Sequence, residues 1–173
     1  MRILVTGGVR SGKSRHAEAL LADRDRVSYV APGPVPTADD PDWAARVAEH
    51  RARRPAHWRT FETTDLASAI VPDEPTLVDC LGTWVTATVD ELDGWTAEPE
   101  TWRPELDRRL DAVVAAVADA DDLVLVTNEV GLGVVPSHAS GRLFRDLLGT
   151  VNQRVASGCD EVHLVVAGRV LTL

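Results

Sequence analysis

The chain has 173 residues, 45% of them hydrophobic and 26% charged, ordinary globular usage that excludes a disordered, collagen-like or low-complexity polymer. Its length suits one domain over residues 1–173, because two separate cores would each have too little apolar surface to bury. Eighteen basic against 27 acidic residues leave a formal charge of −9. That excludes a broad electrostatic footprint for nucleic acid or anionic lipid, so an anionic ligand must be held by a local site.

Arg2 to Thr6 is apolar and β-branched, Gly7-Gly8 follows, and Ala17, Leu20 and Leu21 recur at helical spacing over Lys13 to Ala22, the pattern of strand, glycine loop and helix. Val27 to Ala31 reads as a buried strand and Pro32 to Pro36 as a loop. Asp40 and Pro41 open a helix that Pro55 stops, with Trp43, Ala44, Val47 and Ala48 as its packed face. A short strand over Trp58 to Glu62, a capped helix over Asp65 to Ile70 and a buried strand over Thr76 to Cys80 come next. Trp95, Pro99 and Trp102 among acidic residues suggest a surface loop over Gly94 to Trp102, leading into a helix from Pro104 to about Ala120. Leu123 to Thr127 is a strand, Gly131 to Pro136 a loop, Ser140 to Ala156 a helix and Glu161 to Ala167 a strand. Gly168 then turns the chain into an antiparallel edge strand over Val170 to Leu173. Strands alternating with helices imply an α/β fold, a mostly parallel sheet covered on both faces. Cys80 and Cys159 lack nearby partners and read as core thiols. No apolar run approaches the roughly 18 residues of a membrane span, and Arg2 leads straight into a strand, so a cytoplasmic protein is expected.

Gly7-Gly8-Val9-Arg10-Ser11-Gly12-Lys13-Ser14 satisfies the phosphate-loop pattern G-x-x-x-x-G-K-[ST] between a strand and a helix. Backbone N–H groups there cradle phosphates, Lys13 reaches the β- and γ-phosphates, and Ser14 is suited to a magnesium ion. Lys13 is the single lysine beside 17 arginines, a compact ammonium kept at the one place where a planar guanidinium would be bulkier. Leu77-Val78-Asp79 is an apolar strand ending in a carboxylate, the form of a second magnesium-holding position. A residue that merely caps the next segment is the other reading of Asp79. Thr127-Asn128-Glu129 ends another strand at the edge where open α/β sheets bind ligands, and it also suits ordinary turn chemistry. Arg46, His50 and Arg54, spaced by four, share one helical face with Arg53 beside them. A histidine among guanidiniums can meet a polyphosphate, although basic residues also complement a helix C-terminus.

Taken together, the phosphate loop at 7–14, His50-Arg-x-x-Arg-Pro-x-x-Trp-x-Thr-x-Glu62, Val78-Asp-Cys-Leu81, Thr127-Asn-Glu-Val-Gly-x-Gly-x-Val-Pro136, Arg142-x-Phe-Arg-Asp146 and Asn152-Gln153 resemble the bifunctional adenosylcobinamide kinase/adenosylcobinamide-phosphate guanylyltransferase family. The resemblance runs the length of the chain and implies a P-loop, RecA-like fold. It also implies phosphorylation of the aminopropanol hydroxyl of adenosylcobinamide by ATP or GTP, then transfer of GMP from GTP through a histidine to give adenosylcobinamide-GDP. By the matching positions, His50 carries the GMP, and nucleotide contacts fall at Gly7 to Ser14, at Ala31, Pro32 and Gly33, at Arg51, Ala52, Arg53 and Arg54, at Glu62 and at Asp79. Magnesium as cofactor and a homotrimeric assembly are further implications. Ala31-Pro32-Gly33, Thr63-Thr64 after Glu62, Thr86-Ala87 and the Gly94 to Trp102 loop depart from the family's pattern. Two alternatives stand beside this reading: a P-loop kinase acting on another small hydroxyl substrate, and a module that binds nucleoside triphosphate without turnover.

Overall fold

The computed structural model describes residues 1–35, 37 and 39–173; Pro36, the end of the expected Pro32 to Pro36 loop, lies outside the described residues. The elements in chain order are β1 (Arg2–Gly7), α1 (Lys13–Leu20), β2 (Ser28–Ala31), α2 (Pro41–Arg53), β3 (Arg59–Glu62), α3 (Leu66–Ala69) and β4 (Thr76–Asp79), followed by α4 (Leu81–Glu91), α5 (Pro99–Asp119), β5 (Leu123–Val126), α6 (Ala139–Ala156), β6 (Glu161–Val166) and β7 (Arg169–Thr172). The strands form one sheet in the order β3-β2-β4-β5-β1-β6-β7. Every adjacent pair is parallel except β6 with β7, where Val165 faces Val170 in an antiparallel edge.

Side chains alternate across a strand, so each buried strand feeds two cores. Leu4, Val78, Leu123 and Leu125 join residues of α3 to α6 in one cluster, among them Leu66, Trp84, Leu110 and Leu148. Ile3, Val5, Val124 and Val126 point the other way and meet Ala17, Leu21, Val27 and Trp58. Burying one such leucine or valine stabilises the fold by roughly 1.5–3 kcal/mol. The cover is therefore unequal, with four helices on one face and α1 on the other. Among the described residues no helix is long and apolar enough to cross a membrane.

Three expectations need correction. None of the described residues of α2 is buried, so Trp43, Ala44, Val47 and Ala48 do not form a packed face. The expected surface loop before Pro104 is partly helix, because α5 begins at Pro99 and Trp102 is only 2% exposed. Burial of that indole in the core supplies what the acidic sequence around it does not advertise. Finally, α4 is a helix where the sequence reading assigns none. Its Val85, Thr88 and Val89 are poor helix formers, yet all three are buried, and tertiary packing overrides their preference.

Candidate active site

β1 delivers the chain to the phosphate loop at the carboxyl edge of the sheet, beside the ends of β4 and β5. A Cβ on Gly7 would sit 2.4 Å from the Val165 carbonyl oxygen, so only glycine lets the loop pass this close to β6. Gly12 takes the left-handed conformation (φ 97°) that turns the chain into α1. The loop is pinned from behind by hydrogen bonds from Gly168 N–H to the Ser11 carbonyl (2.8 Å) and from Glu129 N–H to the Gly7 carbonyl (3.2 Å). Lys13 Nζ folds back to donate to the Gly8 carbonyl at 3.2 Å. These contacts leave a helix N-terminus and an ammonium at one spot, an arrangement made for phosphate.

The helix α2 approaches the same edge on polar tethers. Asp40 caps its start by accepting from Trp43 N–H, and the Trp43 indole donates to the Pro34 carbonyl at 2.8 Å. Arg53 donates to both carboxylate oxygens of Glu18 on α1, at 3.1 and 3.3 Å, and Arg51 pairs with Glu62 at the end of β3. Arg54 follows the last helical turn in extended conformation (ψ 142°), so it leaves the face shared by Arg46 and His50. Its guanidinium lies 3.3 Å from the centroid of the Tyr29 ring and donates to the Thr60 hydroxyl at 3.1 Å. The charge stacks on the π-face of an aromatic ring.

Asp79 closes β4 and sits between these two parts. Its Oδ2 accepts from the Tyr29 hydroxyl at 3.0 Å and faces Nδ1 of His50 at 3.4 Å, with only 7% of the side chain exposed. Burial pushes the Asp79 carboxyl up, but His50, the Ser14 hydroxyl and Tyr29 outweigh that and hold it below the usual carboxylate range. Burial and the adjacent Asp79 charge push the Tyr29 phenol well above its ordinary range, so it remains a donor. The aspartate does not cap α4. That role falls to Cys80, helped by Thr83, whose hydroxyl donates to the Cys80 carbonyl at 2.8 Å.

One cleft of about 580 Å³ joins both parts. Val9, Arg10, Ser11, Gly12, Lys13, Ser14, Ala31, Gly33, His50, Arg51, Arg53, Arg54, Glu62 and Asp79 line it. Gly7 and Gly8 shape the loop from behind, whereas Pro32 and Ala52 do not line the cleft, and Ala52 faces solvent on α2. Glu129 turns away as well, since its carboxylate accepts from Gly131 N–H in a local turn. Asn128 does line the cleft, on a strand end fixed by Asn152, which takes the Thr127 hydroxyl at 2.6 Å and donates to the Asn128 carbonyl. Tyr29, Trp43 and Thr83 also border the cleft without belonging to a motif. Only the uniqueness of Tyr29, the chain's one tyrosine, marks it in the sequence. A histidine pair lies behind α1: His16 Nε2 meets His163 Nδ1 at 2.8 Å, and His163 Nε2 meets Glu161 at 2.7 Å.

A family model described as cobinamide kinase / cobinamide phosphate guanyltransferase matches residues 3–173. The chain belongs to this family. It is 45% identical over 179 aligned positions to the bifunctional adenosylcobalamin biosynthesis protein CobU of Salmonella typhimurium, covering 97% of each chain. Its identity to the protein of the same name in Escherichia coli is 41%, again with 97% of both chains covered. To CobP of Pseudomonas aeruginosa it is 39% identical, over 97% of this chain and 94% of that one. The solved structure of an ATPase from the type III secretion system of pathogenic bacteria superposes with a TM-score of 0.56 at 13% identity, covering 94% of this chain and 50% of that one. That likeness establishes the α/β fold with a mostly parallel sheet expected from the sequence, built in this cobinamide kinase / cobinamide phosphate guanyltransferase family member on seven strands among the described residues.

Proposed function

We propose that the chain phosphorylates the aminopropanol hydroxyl of adenosylcobinamide with ATP or GTP, and then moves GMP from GTP through His50 onto the new phosphate to give adenosylcobinamide-GDP. The carrying observation is that His50 shares one cleft with the phosphate loop although it lies 36 positions beyond Ser14 in the chain. In the kinase step Lys13 and the loop N–H groups hold the triphosphate and offset charge on the transferred phosphoryl group. In the second reaction the neutral imidazole of His50 attacks the α-phosphorus, pyrophosphate leaves, and Arg51, Arg53 and Arg54 lie close enough to the cleft to spread the charge.

The Ser14 hydroxyl and the Asp79 carboxylate are oxygen donors beside the loop, the donor chemistry that magnesium takes when substrate phosphates supply its other ligands. Bound there, magnesium would draw off charge from the β- and γ-phosphates. Among the described residues no group of three or more His, Cys, Asp or Glu is placed to hold a metal ion alone, which suits an ion that arrives with nucleotide. We also propose a homotrimer. Leu132 (89% exposed) and Val134 (97%) on the loop after β5, with Leu171 and Leu173 at the β7 edge, give the chain unpaired apolar surface that self-association would cover. Sedimentation of the purified chain checks this, and a monomer at all concentrations contradicts it.

Incubation with α-labelled GTP tests the central reading. Label should stay on the parent protein, be lost in acid and survive base, as a phosphoramidate does, and be absent from His50→Ala protein that still phosphorylates adenosylcobinamide. A kinase acting on another alcohol would retain no label, and a triphosphate sensor would neither retain label nor release ADP in response to the corrinoid. Label on His57, seven residues along and outside the cleft lining, overturns the assignment.

A further inference from the structure

Tyr29 lies outside the motifs by which this chain resembles the family, yet it is 1% exposed and touches both Asp79 and Arg54. Its hydroxyl reaches Asp79 Oδ2, and its ring carries Arg54. We propose that Tyr29 and Asp79 are a positioning pair that selects Nε2 of His50 as the nucleophilic nitrogen, an inference that rests on the reading of His50 as the guanylylated residue.

A carboxylate only accepts, and the phenol of Tyr29 donates to Oδ2 at 3.0 Å. The same oxygen faces His50 Nδ1 at 3.4 Å, a separation that tightens readily when a substrate orders the site. Opposite that oxygen the neutral imidazole carries its one proton on Nδ1, because a bare Nδ1 lone pair would face negative charge. The lone pair is then left on Nε2. Tyr29 supports the arrangement by holding the carboxylate in place from β2, the neighbouring strand, where Val30 pairs with Val78. Without that hydroxyl the buried carboxylate keeps the Ser14 hydroxyl as its other neighbour, and its hold on one imidazole tautomer weakens.

Bond by bond, the Nε2 lone pair forms the P–N bond to the α-phosphorus of GTP. The bond from that phosphorus to its bridging oxygen breaks, and pyrophosphate leaves with the electron pair. The ring becomes an N-phosphorylated imidazolium whose Nδ1 proton still faces Asp79, so the new positive charge has a carboxylate beside it. On return, a phosphate oxygen of the acceptor attacks the same phosphorus, the P–N bond breaks, and its electron pair goes back to Nε2.

The test uses the full chain labelled with ¹⁵N in its histidines. Long-range ¹H–¹⁵N spectra at alkaline pH, with His50 assigned by its loss in His50→Gln, should report the Nδ1–H tautomer in the free protein. After GTP is added, ³¹P coupling should place the GMP on Nε2. Tyr29→Phe, which keeps the ring and the Arg54 stack, should shift His50 toward the Nε2–H tautomer and lower kcat for guanylylation roughly tenfold, with KM for GTP little changed. A linkage at Nδ1, an Nε2–H tautomer in the free parent protein, or a Tyr29→Phe protein with unaltered tautomer and rate overturns the inference. The parent-protein spectra do not depend on Tyr29→Phe folding. Absence of GMP from every histidine of the parent protein would instead overturn the guanylylation reading, and this role with it.

Discussion

The phosphate loop and α2 meet in one cleft but are built on opposite principles. The loop hangs from β1, whose Ile3, Leu4 and Val5 are at most 4% exposed, and backbone hydrogen bonds from Gly168 and Glu129 lock it from behind. The helix that brings His50 has no buried residue and is held by the Arg53–Glu18 and Arg51–Glu62 pairs, the Arg54–Tyr29 stack and the Trp43 indole. A cradle for phosphate depends on backbone geometry, which a packed core fixes at little cost in polar groups. A basic helix serving a polyanion cannot be buried in the same way, because desolvating several guanidiniums costs more than their pairing returns. Its position is therefore set by charges and rings.

That contrast can be broken by mutation. The largest effect is expected at Leu125, fully buried in β5: Leu125→Ala should cost about 2–5 kcal/mol in denaturant unfolding. Val47→Ala on α2 should cost less than about 1 kcal/mol, because little apolar area leaves water there. Equal losses at the two positions would mean that α2 is a core element after all. Lys13→Ala should lower phosphorylation of adenosylcobinamide about 10²–10³-fold, as loss of one transition-state donor does. The same protein should unfold within about 0.5 kcal/mol of the parent. Unchanged turnover in folded Lys13→Ala protein would remove the lysine from the site.

A smaller effect separates pairing from packing. A double-mutant cycle on Arg53→Ala and Glu18→Ala should give a coupling of about 0.2–1 kcal/mol to stability, since the pair is only partly shielded from water. It should shrink in high salt. A coupling several times larger and insensitive to salt would contradict tethering by charge. The smallest effect concerns His16, on α1 behind the loop. Burial, then repulsion from His163, lowers its pKa below the ordinary 6.5. The folded state thus binds fewer protons than the unfolded one, and its contribution is complete above pH 6.5 and falls as pH drops through that value toward the lowered folded pKa. Acid titrations of stability should be shallower in His16→Asn protein over this interval. An identical slope would show that the histidine pair does not sense pH.

Much of the site was legible because its signals are local. Gly7 to Ser14 declares a loop by the spacing of glycines and one lysine, and the strand and helix on either side follow from periods of two and 3.6. The C-terminal edge strand was equally plain from Gly168 and its apolar flanks. Other features depend on neighbours distant in sequence. Nothing near Trp102 announces that its indole enters the core, and the residues of α4 favour helix only once they are buried. Arg54 shares a helical face with His50 on paper, but Pro55 follows it, and a residue before proline is pushed out of the helical region, so the guanidinium swings to Tyr29.

Fold class, phosphate loop and the identity of the reactive candidates are written in the chain locally, because each rests on covalent spacing and on the periods of helix and strand. The meeting of Asp79, Tyr29 and His50 at one carboxylate oxygen arises from long-range folding instead. Those residues lie on β4, β2 and α2, and their encounter depends on strand order and on where a polar helix docks. Neither quantity is written in any short stretch of chain, since both emerge from the competition of whole cores and charge pairs for the same sheet.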